Sequence, residues 1–289
     1  MHKIGFTSII IVNYKTKELT VNCVRSMQAH FNPAMYEVII VDNDSHDGSA
    51  AHFRKELPGA IVIESEKNIG FGSANNLGVK EASGEYILLL NSDTLVTANI
   101  LEKFVSFYTS NSHLKPGVVG SPLIDEAGKV IHSFGNFPFP LKLFTGSCKS
   151  NAETLRDAEQ HYFAPTKIVV GADMFIKRSV FDEVGGFDEN IFLYEEELEL
   201  QYRLQQKGYT QFVINEKSII HLEGQSSGSW FKRKSSFISL CYVNRKHLPY
   251  GWYIISRLRM ILFALIFFKN PKTTWKEKAA YLKLSILAK

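Results

Sequence analysis

Short apolar runs alternate with amphipathic stretches along the first hundred residues of the chain. The runs are rich in β-branched residues, which is typical of strands buried on both faces of a sheet. Between them, apolar residues recur every three or four positions and predict helices. The predicted strands cover residues 8–12, 38–41, 60–64 and 86–90. The predicted helices begin near Thr16, Ser49 and Gly72, and Thr97 is the expected cap of a fourth helix.

Strands separated by helices of this length form right-handed βαβ units, so the pattern predicts an α/β fold with a mainly parallel sheet. The regular alternation of predicted strands and helices ends at about residue 117. The predicted elements there are a hairpin over 123–131, a long loop over 134–165, a strand over 168–176, a turn over 184–188, a helix over 195–207 and short strands over 211–214 and 218–221.

The last sixty residues differ from the rest in charge. Residues 230–289 hold thirteen Lys or Arg and one acid, a net charge of +12, whereas residues 1–229 hold twenty basic residues and twenty-eight acids, a net charge of −8. The longest unbroken apolar run, 260–268, is shorter than the roughly 20 residues that a spanning helix needs. We therefore divide the chain into a domain over 1–229 and a basic, apolar helical tail over 230–289. The tail favours an anchor in the interface of an anionic membrane, and the alternatives are a helical pair packed on the domain or a homodimer contact.

Composition excludes several classes of protein. Apolar residues make up 45% and charged residues 21%, which excludes wholesale disorder, and a mean hydropathy of −0.07 argues against a polytopic membrane protein. The three cysteines are far apart and form no C-x-x-C pair, which indicates a reducing compartment without a zinc knuckle. The basic residues accompany apolar helices instead of lining a polar groove, so no nucleic-acid partner is expected.

Polar residues follow three predicted strands directly after their apolar runs. They are Asn13 and Tyr14 after the first strand, Asp42, Asn43 and Asp44 after the second, and Asn91, Ser92 and Asp93 after the fourth. Such residues also cap helices and build turns, but three polar ends at one edge of a doubly wound sheet favour a nucleotide-like ligand. A carboxylate at the tip of a buried strand needs a partner, and Mg²⁺ or Mn²⁺ would serve Asp93 in that role.

A glycine-containing loop, Asn68 to Gly72, lies between the third strand and the next helix. Its glycines allow close approach of the backbone, and a helix N-terminus favours an anion. The loop is not a P-loop, and no G-x-G-x-x-G follows the first strand, which argues against a nicotinamide-dependent dehydrogenase.

Four acids open the late helix: Glu195, Glu196, Glu197 and Glu199. Acids suit the positive end of a helix dipole, so they have a structural explanation, but one of them is also a candidate for catalysis. His221 ends a short strand and is either a structural residue or a ligand. The following residues, 223–228, are expected to form a flexible loop that closes over a bound substrate.

Together these segments resemble the family 2 glycosyltransferases of the GT-A fold, in particular the rhamnosyltransferase-like branch that builds bacterial surface polysaccharides. The matching segments are SIIIVNYKT (8–16), VDNDSHDGS (41–49), EKNIGFGSANNLGVKEASGEYILLLNSDTLV (66–96), GADMFIKRSVFDEVGGFDE (171–189), FLYEEELELQYRLQQKG (192–208) and IIHLEGQSSG (219–228). They occur in the family's order, and the tail beyond Trp230 lies outside the resemblance.

The resemblance implies a nucleotide-diphosphate sugar donor, inversion at the anomeric carbon and a divalent metal, Mg²⁺ or Mn²⁺. It also implies a role for each matching position in this sequence. Asn13 and Tyr14 would contact the base, and Asp42 would accept a hydrogen bond from the N–H of the base. The residues that would lie beside the donor are Asn68, Gly70, Asn75, Asn91 and Ser92, and those at the metal and diphosphate are Asp93 and His221. Glu196 and Glu197 match the family's acidic pair, whose second member is the general base.

Two positions depart from the family pattern. Asn91 stands where the family's D-x-D-like motif begins with Asp, and its amide oxygen is a weaker metal ligand. Glu197 stands where the family usually has Asp, which keeps the carboxylate but lengthens the side chain.

The expected acceptor is a glycan, in particular a lipid-linked one, and the expected location is cytoplasmic and peripheral on the inner face of the membrane. Two other functions remain open at this stage. One is a sugar-1-phosphate nucleotidyltransferase, although Asn13 to Thr16 lack its glycine-rich basic loop. The other is a non-catalytic scaffold that binds nucleotide sugars for a polysaccharide assembly complex.

Overall fold

The computed structural model describes residues 3–138, 140–141, 151–222, 229–267, 274–275, 278–279 and 282–283. The strands of this part of the chain are β1 (Lys3–Asn13), β2 (Tyr36–Asp42), β3 (Ile61–Glu64), β4 (Gly84–Leu90), β5 (Thr94–Val96), β6 (Pro116–Gly120), β7 (Leu123–Ile124), β8 (Phe134–Gly135), β9 (Phe163–Thr166), β10 (Ile168–Val169), β11 (Asp173–Lys177), β12 (Thr210–Ile214) and β13 (Ile219–His221). The α-helices are α1 (Lys17–His30), α2 (Ser49–Glu56), α3 (Phe71–Glu81), α4 (Ile100–Ser110), α5 (Asn151–His161), α6 (Arg178–Glu183), α7 (Glu196–Gln206), α8 (Ser229–His247) and α9 (Tyr250–Phe267).

The main sheet has eight strands in the order β3-β2-β1-β4-β11-β6-β12-β9. Its first four strands are parallel, and β6 and β12 run in the same direction as they do. Only β11 and β9 run the opposite way within this sheet. The predicted α/β fold with a mainly parallel sheet is confirmed.

The central strand β1 is buried on both faces. Ile9 and Ile11 pack in the layer that holds α1 and α4, whereas Ile10 packs with α3 and α7 on the other face. All three side chains are fully buried, and each such burial contributes roughly 1.5–3 kcal/mol. This explains why the run SIIIV is continuously apolar instead of alternating.

Three expectations about local structure are wrong. The long loop expected over 134–165 contains β8, α5 and β9. The single strand expected over 168–176 is two strands in different sheets, because β10 pairs with β8 in a two-stranded sheet and β11 joins the main sheet. The cap of α4 is Asn99, whose side chain accepts from the Glu102 amide, whereas the Thr97 hydroxyl donates to the Ser218 carbonyl.

A second sheet, β5-β13-β7, stands beside the tip of β4. Its antiparallel β13–β5 pairing sets His221 opposite Thr94, the residue after Asp93. The Leu222 amide also donates to the Asp93 carbonyl over 2.9 Å. These backbone contacts fix His221 next to the end of β4.

Helix α8 packs against α7 through an apolar cluster. Leu198 and Tyr202 of α7 meet Val243 of α8 and Leu248 just beyond it in this cluster. Helix α9 follows and is joined to α8 by a 2.8 Å hydrogen bond from Asn244 to Ser256. In the part of the chain that the structure describes, no helix combines the length and apolar character needed to cross a bilayer.

Candidate active site

Asn13, at the end of β1, is the centre of a hydrogen-bond network. Its Nδ2 donates to Asp42 Oδ1 over 2.8 Å and to Ser45 Oγ over 3.0 Å. Its Oδ1 accepts from Thr16, through both the amide at 3.2 Å and the hydroxyl at 3.0 Å, and from the Thr20 hydroxyl at 3.1 Å. The buried Asn13 amide therefore ties the ends of β1 and β2 to the start of α1. Thr16 stands at the predicted start of α1, but its side chain binds Asn13 instead of capping the helix.

Asp42, at the end of β2, is held by two donors on the same oxygen. Asn13 and Ser45 both donate to its Oδ1. Asp42 is buried, whereas Tyr14 is half-exposed at the end of β1, with the Lys15 ammonium 5.3 Å from its ring centroid. The edge thus offers a fixed carboxylate beside an accessible aromatic ring.

The Asn68–Gly70 loop is joined to the end of β2 by Asn43. The Asn43 side chain donates to Asn68 Oδ1 over 3.1 Å and accepts from the Ile69 amide over 3.0 Å. Asn68 Oδ1 in turn accepts from the Gly70 amide at 3.1 Å. Asn75, by contrast, donates to the Phe71 carbonyl over 3.0 Å, inside its own helix. The structure therefore brings Asn68 and Gly70 to the strand-end network and leaves the Asn75 amide within α3.

The tip of β4 is connected to the same network. The hydroxyls of Thr16 and Ser92 lie 3.0 Å apart. The backbone N–H of Asn91 donates to the Ala172 carbonyl over 3.1 Å, which joins the tip of β4 to the segment before β11. Asp93 Oδ1 lies 3.2 Å from His221 Nε2. The three polar strand ends thus meet at one edge, with His221 beside them.

The acid-bearing end of α7 borders this edge. The Phe71 amide donates to the Phe192 carbonyl over 3.0 Å, and a Cβ added to Gly70 would lie 2.2 Å from that carbonyl oxygen. Gly171, the neighbour of Ala172, faces the Glu197 side chain, since a Cβ there would lie 3.7 Å from Glu197 Cβ. These two contacts place the α7 acids between the glycine loop and the segment that binds the tip of β4.

Glu196 and Glu197 have different surroundings. Glu196 is buried, its Oε2 has no hydrogen-bond partner within the described residues, and its Cβ lies 3.4 Å from a Cβ added to Gly72. Burial, with the charge of Glu197 added, raises the pKa of Glu196 well above its usual value. Glu197 is only partly buried. Desolvation and the neighbouring Glu195 charge raise the pKa of Glu197 to about 7. Glu197 is therefore the acid of this pair that is both accessible and suited to exchange a proton near neutral pH.

Asp93 and His221 form the part of the site that suits a divalent cation. His221 Nδ1 has no hydrogen-bond partner within the described residues, so this ring is not held by a second acceptor there. No group of three His, Cys, Asp or Glu side chains in the described ranges is arranged to hold a metal. A carboxylate and an imidazole nevertheless fit Mg²⁺ or Mn²⁺ when a diphosphate completes the ligand set, because Mg²⁺ commonly takes few protein ligands and several substrate oxygens.

Sequence reasoning did not identify two residues that the structure brings to this edge. Ser45 binds both Asn13 and Asp42. Asp173, at the start of β11, is fully buried, and burial raises its pKa to about 7 although Ser121 donates to it. Ser45 follows Asp42 so closely that it was indistinguishable from a turn residue, and only the pairing of β11 with β4 reveals the place of Asp173. The loop expected over 223–228 lies outside the described residues.

Comparison with known proteins gives concordant results. The family profile described as "Glycosyl transferase family 2" matches residues 8–185. The chain is 26% identical over 210 residues to the low-salt glycan biosynthesis hexosyltransferase Agl10 of Haloferax volcanii, covering 68% of this chain and 60% of that protein. It is 23% identical over 216 residues to the N-acetylglucosaminyl-diphospho-decaprenol L-rhamnosyltransferase of Mycobacterium tuberculosis, covering 66% of this chain and 68% of that one.

Among solved structures, the fold is similar to that of TarS from S. aureus, with a TM-score of 0.59 and 15% sequence identity. The similarity covers 98% of this chain and 49% of TarS. This likeness concerns the fold alone. The chain spans about half the length of TarS and less than two thirds of the length of Agl10.

Proposed function

This chain belongs to glycosyl transferase family 2, and on that premise we propose that it is a glycosyltransferase that moves a sugar from a nucleotide-diphosphate donor to a hydroxyl of a glycan acceptor, with inversion at the anomeric carbon. One observation carries this proposal. The polar ends of β1, β2 and β4 form a single hydrogen-bond network, and the helix that begins with Glu196 and Glu197 borders it. In an open α/β sheet, such an edge is where ligands bind.

The donor nucleotide is assigned to the side of the edge formed by β1 and β2. Because Asn13 and Ser45 both donate to Oδ1 of Asp42, Oδ2 is the oxygen that we assign to a base N–H. The half-exposed ring of Tyr14 is assigned to the face of the base. Asn68 and Gly70 line the next part of the path, with Asn91 and Ser92 at the tip of β4.

Glu197 is assigned the role of general base. It takes the proton of the acceptor hydroxyl while that oxygen attacks the anomeric carbon, and the bond from this carbon to the diphosphate oxygen breaks in the same step. A single displacement of this kind inverts the configuration. A pKa of about 7 leaves a useful fraction of Glu197 ionised at neutral pH and still gives it affinity for a proton.

Asp93 and His221 are the residues that would hold a divalent cation. When bound, Mg²⁺ or Mn²⁺ supplies charge neutralisation to the departing diphosphate. The backbone contacts of His221 with Thr94 and of Leu222 with Asp93 keep the pair together in the folded chain.

The acceptor is proposed to be a lipid-linked glycan at the inner, cytoplasmic face of the membrane. Two observations support this choice. The name of the Mycobacterium tuberculosis relative describes transfer of L-rhamnose to a diphospho-decaprenol-linked sugar. Helix α9 exposes large apolar side chains in a segment of strongly positive charge, which suits the interface of an anionic membrane. We propose L-rhamnose as the first donor sugar to test.

The test is a panel of uridine, thymidine and guanosine diphosphate sugars, incubated with the protein, Mn²⁺ or Mg²⁺ and a polyprenyl-diphosphate-linked N-acetylglucosamine. Release of nucleoside diphosphate together with a lengthened acceptor is the expected result. Formation of a nucleotide sugar from sugar 1-phosphate and nucleoside triphosphate would instead identify a nucleotidyltransferase. Tight donor binding with no turnover for any acceptor would identify a scaffold.

A further inference from the structure

Lys246, near the end of α8, bridges two acids from different parts of the chain. Its Nζ donates to Glu199 Oε1 over 2.7 Å and to Asp188 Oδ2 over 2.6 Å. Glu199 is fully buried, and the Asp188 side chain is nearly so. The lysine is itself only partly exposed. The bridge therefore joins two carboxylates of little exposure to a lysine that keeps about a third of its side chain, 34%, exposed to solvent.

Each acid of the bridge leads to one side of the proposed site. Glu199 stands on α7, two residues beyond Glu197. Asp188 follows Phe187, whose amide and carbonyl are both bound at 2.9 Å by the side chain of Asn76 on α3. Helix α3 begins beside the Asn68–Gly70 loop. Lys246 thus joins the helix that carries the base to the helix on the donor side.

Other contacts from α8 hold the chain on the amino-terminal side of the same acids. The Ser236 hydroxyl donates to Glu195 Oε1 over 2.5 Å, and the Ser239 hydroxyl donates to the Leu193 carbonyl over 2.9 Å. Glu195 has a φ of 68° and Tyr194 a φ of 64°, in the left-handed region that non-glycine residues adopt only with local support. Helix α8 therefore binds the segment just before Glu196 and, through Lys246, binds Glu199 in the first turn of α7.

We propose that Lys246 is a positioning residue of the transfer reaction, holding the first turn of α7 so that Glu197 faces the donor site. The proposal rests on the proposed function, because it assigns Glu197 as the base. It extends that function to a residue outside the segments that resemble the family. Through Lys246, α8 then has a positioning role in addition to leading to α9.

Loss of the lysine should leave the fold intact. Glu199 also accepts from Arg203 through both carboxylate oxygens and lies 2.9 Å from His247 Nε2. Asp188 also accepts from the Tyr242 hydroxyl over 2.8 Å. In Lys246→Met, Glu199 therefore keeps the Arg203 guanidinium and Asp188 keeps a hydrogen-bond donor, so the variant removes the bridge while both carboxylates stay hydrogen-bonded.

The experiment compares Lys246→Met, Lys246→Arg and Lys234→Met with the unaltered protein. Lys234 is exposed on the same helix, so its substitution matches the change in charge and side chain. Two readouts are taken on the full chain. One is amide hydrogen exchange of a peptide covering residues 192–200, with a peptide from α1 as reference. The other is kcat and KM for the donor found active in the panel above, with a water-soluble acceptor.

We expect Lys246→Met to speed exchange in 192–200 at least tenfold and to lower kcat roughly 10- to 100-fold, with donor KM within about twofold, since small misplacement of a reacting group costs rate more than binding. Lys246→Arg should restore most of the unaltered exchange rate and of kcat, and Lys234→Met should change neither quantity.

Faster exchange with unchanged kcat would overturn the proposal, as would a loss of kcat with unchanged exchange. If Lys246→Met fails to fold, Lys246→Gln replaces it, with the same expected signs and the same contrary outcomes. If no donor is turned over by the unaltered protein, the proposed function fails, while unaltered exchange in Lys246→Met would separately refute the positioning role.

Discussion

Glu197 is surrounded in a way that bears directly on its chemistry. It is partly accessible, it follows a buried carboxyl group at Glu196, and Glu195 stands within electrostatic range. A carboxylate so placed is less stable as an anion than one in water, and it therefore holds a proton more strongly. The α7 acids satisfy the helix dipole as well, but that explanation does not account for the raised pKa of Glu197.

Replacement of Glu197 by Gln tests the role of base. The amide keeps the shape of the side chain but cannot take a proton, so kcat should fall by about 10²–10⁴-fold. Donor affinity, measured by calorimetry with the nucleoside diphosphate, should stay within about twofold. Glu183→Gln, on the exposed surface of α6, provides the matched control. A Glu197→Gln variant with full turnover would remove this residue from the mechanism.

The raised pKa also predicts a dependence on pH. Only ionised Glu197 accepts a proton, so kcat/KM should rise with pH and level off above a pKa of about 7. The folded chain binds this proton more tightly than the unfolded chain, whose value is near 4.5, so stability should fall as pH rises from about 4.5 to about 7. Glu197→Gln should accordingly raise the Tm at pH 8 and leave it unchanged at pH 4. Equal shifts at both pH values would contradict the assignment.

At the scale of elements, the Asn68–Gly70 loop before α3 lies in close contact with the chain before α7. Gly70 has a φ of +87°, and a Cβ there would lie 2.2 Å from the Phe192 carbonyl oxygen. The loop and the chain before α7 approach each other so closely that only glycine fits between them.

Gly70→Ala should therefore separate the loop from the acid-bearing segment. We expect the free energy of unfolding to fall by about 2 kcal/mol or more. Alanine disfavours the positive φ at this position, and its Cβ has no room beside the Phe192 carbonyl. Nucleoside diphosphate affinity should weaken in parallel, at least tenfold by calorimetry. Gly59→Ala is the control, since a Cβ at Gly59 meets nothing within 4 Å. Equal effects of the two substitutions would show that the close contact is unimportant.

Elements with a strong apolar pattern were predictable from the sequence, and the weakly patterned ones were not. The strand ends meet because β2, β1 and β4 are parallel neighbours, which their alternation with helices implied. Helix α5 was missed because it buries only Thr154 and Ala158, which leaves almost no apolar periodicity to detect. The break between β10 and β11 was missed because residues 168–176 are apolar on both sides of Gly171.

The residues of the site were predictable to the extent that they directly follow apolar runs. Asn13, Asp42 and Asp93 stand out in this way. The hydrogen bonds that join these residues could not be predicted, since Ser45 binds Asn13 across 32 residues of sequence. The bridge made by Lys246 was equally hidden, because a lysine in a basic tail looks like any other until the tertiary structure gives it two acids.

At the scale of the whole molecule, the contrast in charge is matched by a contrast in exposed surface. Helix α9 exposes Ile254, Ile255, Leu258 and Leu262 to solvent. Arg257 and Arg259 lie on the same helix, among its apolar residues. Apolar side chains with basic neighbours suit binding to anionic lipid, where both burial of apolar area and charge attraction contribute.

Substitution of Leu258 by Asp tests this surface without removing α8. Leu258 is 62% exposed, so the fold should tolerate the change, while lost apolar burial and added repulsion should lower partitioning into phosphatidylglycerol-containing vesicles about tenfold or more. Ile61→Asp, on the edge strand β3 and 41% exposed, is the control. Co-sedimentation with vesicles measures both. Equal binding of the Leu258→Asp variant and the unaltered protein would assign the α9 surface to another role.

The bridge from α8 has a consequence for biosynthesis. Asp188 and Glu199 meet Lys246 across 58 and 47 residues of sequence. A ribosome adds about 5–20 residues per second, so the two acids wait roughly 2–12 seconds for their shared cation after they have been translated. During that interval the nascent chain already carries the strands β1 to β4, whose ends we assign to the donor, but α7 still lacks its contacts with α8. On the proposed role of Lys246, a chain stalled before α8 would have these strand ends in place and no fixed position for Glu197.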